Sequence, residues 1–124
     1  MNLVDATARR QAELARTLAG CATVNPALVV ELTRKLRPAD LVDEKARRFL
    51  LALKPDSDPF QVALSQGLVR EYPKWLSIAT DSLFNLKQAA MAATDEIKRL
   101  VIMRQTLTGL QSWLAEAVRI GKYL

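Results

Sequence analysis

The sequence predicts an all-α protein, on three observations. Alanine and leucine carry most of the apolar half of the chain, and aromatic residues make up only 6% of it, a mixture that favours helices over strands. Asx-proline pairs recur where a helix would have to begin. Apolar residues then follow at spacings of three and four.

The first helix is expected over Val4 to Ala19, alanine-rich and closed by Gly20. Asn25-Pro26 reads as an N-cap followed by proline at the first helical position. Leu28, Val29, Leu32 and Leu36 continue that helix until Pro38 stops it. Asp43 is the next cap, with Glu44 well placed for the helix dipole. Ala46, Phe49, Leu50 and Leu53 then mark one face. The turn-rich stretch Lys54 to Pro59 follows, and Asp58-Pro59 repeats the cap signal. A short helix should run from Pro59 to Gln66 and stop at Gly67. Pro73 should open the next.

The chain after Pro73 has a different texture. Leu76, Ala79, Leu83, Leu86, Ala90, Ala93 and Ile97 form one periodic set, and Leu100, Met103, Leu107, Leu110, Leu114 and Ala117 a second. The two are out of phase, because 97, 100 and 103 are two successive steps of three. A slip of this kind means a stammer or a chain reversal. Thr94-Asp95-Glu96 sits at the slip with the chemistry of a cap and an acidic first turn. The expected architecture is therefore a helical bundle over residues 1–72 and a long C-terminal helical hairpin over 73–124, within one structural domain. The hairpin should turn near Ala92 to Asp95. A single bent helix of nearly fifty residues, roughly 70 Å long, is the alternative. Either form leaves an apolar stripe open, so Leu100, Met103, Leu107, Leu110 and Leu114 are expected as an oligomer interface and the chain as a homo-oligomer. Trp113, beside that stripe, is a candidate anchor.

Charge and residue inventory bound the chemistry. The formal net charge is +5, and there is no histidine and one cysteine. The commonest general base and metal ligand is therefore absent, and so is a usual zinc ligand set. No GxxxxGK[ST] or GxGxxG phosphate loop occurs. Asp40, Asp43 and Glu44 could hold a cation, but their place at a helix start favours turn and cap chemistry. Cys21 lies among small apolar residues with no base partner, so a buried thiol is expected. No enzyme activity, cofactor or metal is expected. With no run of 18 apolar residues and no secretory signal, the expected location is cytoplasmic and off the membrane. The excess positive charge gathers at Arg34, Lys35, Arg37, Arg47 and Arg48 and at Lys98, Arg99 and Arg104. These are either a solvated face or contacts to a partner protein or a nucleic-acid backbone.

The middle of the chain resembles a known family. Asn25-Pro26 and the apolar run after it, Leu36-Arg37-Pro38-Ala39-Asp40-Leu41-Val42-Asp43, Arg47 to Leu53, and later Ile97 to Leu107 are similar to the N-terminal domain of DnaB-type replicative helicases. The helicase-binding domain of bacterial primase shares that fold. Leu41-Val42 stands where the family has an aromatic pair, Ala46 where a histidine is frequent, and the glycine pair before the late helices is missing. The resemblance spans about half the chain. It implies a non-catalytic module of the DNA replication machinery that pairs through its hairpin and engages helicase, primase or a loader. The alternative is a small basic helical subunit that follows a nucleic-acid backbone, as in CRISPR effector complexes. Its binding should fall steeply with salt.

Overall fold

Side-chain caps set most of the helix starts. A computed structural model describes residues 2–121; residues 122–124, the end of the expected second part, lie outside the described residues. Helix α1 (Leu3–Val24) begins at Asn2, whose Oδ1 accepts from Asp5 N–H. Helix α2 (Pro26–Thr33) is capped by Asn25, which accepts from Leu28 N–H, with Pro26 in the first turn. Asp43 caps α3 (Glu44–Ala52) through Ala46 N–H at 2.9 Å. Asp58 caps α4 (Pro59–Ser65), and Gly67 follows it at φ 71°, a left-handed position that suits glycine. Helix α5 spans Tyr72–Thr80 and α6 spans Leu86–Gly121. Short 3-10 turns lie at Pro38–Asp40 and Leu83–Asn85.

Helix α1 is the hub and packs against α2, α3, α4, α5 and α6. Its buried residues include Leu14, Ala15, Leu18, Ala19, Cys21 and Ala22, mostly small, which lets neighbouring backbones come close. The remaining core centres on Phe49, stacked on Trp75 with ring centroids 4.8 Å apart. Tyr72 meets both Phe49 and Phe60 edge-on. Burying Phe49 and Trp75 contributes area and geometric specificity together.

Two expectations need correction. Gly20 does not close α1; the helix continues to Val24. Gly20 is buried where α5 crosses, and a Cβ there would lie 2.6 Å from the Trp75 carbonyl oxygen. This glycine serves close approach rather than termination. The C-terminal element is long and helical, but it is one continuous helix and not a hairpin. The break in the helix falls earlier, at residues 81–85, between α5 and α6. Thr94 is buried inside α6 and its hydroxyl donates to the Ala90 carbonyl at 2.9 Å. It bonds back into the helix and caps nothing.

Candidate interaction surface

Helix α6 has two halves. In the first, Ala90, Ala93, Thr94 and Ile97 are buried, and Leu100 and Val101 still pack on the core. From residue 102 to 121 every position is exposed except Arg104 and Leu107, which are half-buried. This second half projects about 30 Å at 1.5 Å per residue. No hydrogen bond or ion pair among the described residues ties it to the bundle.

The bundle-facing line runs 90, 93, 97, 101, 104 and keeps step with a straight helix. The outer line Met103, Leu107, Leu110, Leu114, Ala117 is a different line, rotated by roughly a third of a turn at 3.6 residues per turn. The apparent slip in the sequence is the handover between these lines. Leu107 and Leu114, in register with the core-packed Leu100, share one position of a seven-residue repeat on the projecting half, and Met103, Leu110 and Ala117 the other. This is the spacing of a helix–helix seam. Leu110 is 52% exposed, Leu114 54% and Trp113 66%, large apolar groups that the chain itself does not cover.

Reasoning from the sequence missed part of this face. Ile102, Val118 and Ile120 are also at least half exposed, and with Trp113 they widen the stripe beyond two positions per heptad. Part of the signal was present, since Ile102 lies two residues from Leu100 and Val118 four from Leu114. Leu83, placed in the first periodic set by the sequence, is instead exposed with Phe84 on the turn before α6.

The basic residues divide. Arg37 is held by Asp40, whose carboxylate accepts both its backbone N–H and its guanidinium. Arg47 donates to the Leu41 carbonyl and Arg48 to the Gln66 carbonyl at the end of α4. Those three guanidiniums hold loops in place. Among the described residues no such bond engages Arg34, Lys35, Lys98, Arg99 or Arg104. Asp43 pairs with Arg16 at 2.8 Å besides capping α3, so Asp40 and Asp43 act in turn and cap chemistry. Cys21 is buried, and desolvation pushes its thiol pKa up.

Two ion pairs clamp elements together. Arg10 on α1 grips Glu96 on α6 with two hydrogen bonds, at 2.6 and 3.0 Å. The Arg10 hydrogen bond is the main cause holding the Glu96 carboxyl below its ordinary value. Lys45 on α3 reaches Glu71 at 2.8 Å, and its hydrogen bond lowers the Glu71 pKa. Trp75 and Ile78 floor a groove of about 440 Å³ between α1, α3 and α5, which Arg16–Asp43 and Lys45–Glu71 border. Its border charges are largely matched within the chain.

Among the described residues no helix is long and apolar enough to cross a membrane, and no group of three or more His, Cys, Asp or Glu could hold a metal ion. Compared with protein-family models, curated proteins and solved structures, the chain gives no match. The resemblance to helicase N-terminal domains rests on the sequence segments quoted above.

Proposed function

We propose that this chain is a non-catalytic interaction module that associates with copies of itself through the projecting half of α6. One observation carries the reading: a heptad-spaced stripe of large apolar side chains lies open along residues 102–121. Burying apolar area on this scale is the main driving force for association, and contiguous exposed apolar faces mark such contacts. The stripe favours a copy of itself because it carries no charge that would select an oppositely charged partner. Glu116 and Arg119, on the other side of the helix, pair with each other. The resemblance supplies the wider setting of the proposal: a replicative helicase, primase or loader as the body such a module serves.

Light-scattering mass on a sizing column, at low and high salt and with a short single-stranded oligonucleotide, tests this reading. The expected result is a salt-resistant multiple of the 13.8 kDa chain mass that ignores the oligonucleotide. Leu110→Lys should return the chain mass while the bundle still melts cooperatively. A wild-type monomer that takes up the oligonucleotide only at low salt would replace this reading with backbone binding through the free cations.

A further inference from the structure

A second open feature lies on the bundle, away from the projecting helix. The C-terminal ends of α2 and α3 converge on a groove of about 310 Å³. Val30, Leu50 and Leu53 form its buried floor, and half-buried Leu36 and open Leu51 form its wall; Leu51 is 55% exposed. Arg34 and Lys54 stand on the lining, and both side chains are exposed with no side-chain partner among the described residues. No carboxylate and no aromatic ring lines the groove.

The two cations have a simpler role to weigh first. Each sits at or just beyond a helix C-terminus, where positive charge offsets the dipole. That accounts for one cation at each end. It does not account for the open Leu51 or the apolar floor between them. Apolar side chains flanked by unpaired cations of one sign complement a ligand with apolar side chains and carboxylates. Single-stranded nucleic acid suits the site less well, because strand binding combines cations with aromatic rings on which bases stack, and here the floor is aliphatic. The volume lies at the small end of ligand pockets and suits a few side chains of an extended or helical peptide.

We propose that this groove is a docking site for a leucine-bearing acidic segment of a partner protein. Leucine side chains of the segment fill the space over Leu36 and Leu51. Its carboxylates meet Arg34 and Lys54, which fix its position.

The test uses the full chain and a fluorescein-labelled synthetic twelve-residue peptide of alternating leucine and glutamate. Controls replace glutamate by lysine, or leucine by serine, and a short oligothymidylate is the nucleic-acid probe. Anisotropy reads affinity at low and high salt, and amide chemical shifts read location. The expected result is binding of the leucine-glutamate peptide alone, with shifts confined to residues 30–36 and 50–55. Arg34→Glu with Lys54→Glu should weaken it at least tenfold, with the fold retained and the thermal melt lowered only slightly, since reversed charges at two helix C-termini oppose their dipoles. Leu51→Ser should weaken it independently. No binding, equal binding of the lysine peptide, or an affinity untouched by the double charge reversal would overturn the proposal. Stronger shifts at the same residues from oligothymidylate would assign the groove to phosphate instead. None of these outcomes depends on the oligomer mass, so this site and the α6 seam stand or fall separately.

Discussion

The two halves of α6 invert the usual relation between size and burial. Its first half buries small side chains, Ala90, Ala93 and Thr94, with Ile97 the one large residue among them. Its second half exposes Ile102, Leu110, Trp113, Leu114 and Val118. Small residues let α6 lie close against the alanine-rich face of α1, so good packing there needs little bulk. Large residues in the second half add nothing to the bundle. One helix therefore has a covered and an open half, and its buried half is the poorer in apolar bulk. An interface is better sought where bulk is exposed than where the sequence is most hydrophobic.

Substitutions can break this division. The largest expected effect belongs to the bundle: Phe49→Ala removes the ring stacked on Trp75 and should cost about 3–5 kcal/mol, read from denaturant midpoints. A paired experiment comes next. Gly20→Ala should destabilise by about 1–3 kcal/mol, because the new methyl meets the Trp75 carbonyl and the backbone must shift. Gly109→Ala, in the projecting half with nothing near its Cβ position, should instead stabilise the helix by about 0.5–1 kcal/mol. Equal signs for the two would erase the distinction between the halves. Asp43→Ala removes the α3 cap and the Arg16 partner together and should cost about 1–2 kcal/mol, again without altering oligomer mass.

The smallest effect is electrostatic. Glu96 has a lowered pKa when folded, so its contribution is present above the unfolded carboxylate value and is lost as pH falls through the folded one. The Arg10–Glu96 pair is partly exposed, so its worth is under about 1 kcal/mol. Glu96→Gln should lower the neutral melt slightly, and the difference from the unsubstituted chain should disappear as pH falls below the carboxylate range.

The sequence made legible whatever depends on near neighbours. Asn25-Pro26, Asp43 and Asp58-Pro59 act through hydrogen bonds two or three residues away, and each stands where its chemistry predicted. Gly20 was misread because its reason is non-local: the carbonyl of residue 75 passes over it. Thr94 was misread because a back-bonded threonine inside a helix and a capping threonine present the same letters. The turn at residues 81–85 was hidden by an apolar spacing that ran on through it, although Thr80-Asp81-Ser82 carried a loop-like composition. The candidate seam was legible as a spacing. Its openness was expected too, but not which members would be open: Leu100 packs on the core and Leu107 is half-buried. The expected basic cluster also proved divisible, because Arg37, Arg47 and Arg48 find carbonyl and carboxylate partners that only the fold brings near.

The projecting half of α6 has a thermodynamic consequence of its own. A helical segment of about twenty residues with no tertiary support sits near the length at which helix and coil balance in water. A free chain therefore holds this segment in a frayed equilibrium. Docking it against another helix shifts that equilibrium toward order and must offset the conformational entropy lost on ordering. Helical ellipticity per residue should then rise with protein concentration, and warming should melt the arm before the bundle. Assembly and local helix formation would be one process, tuned by dilution and temperature as much as by the side chains on the seam.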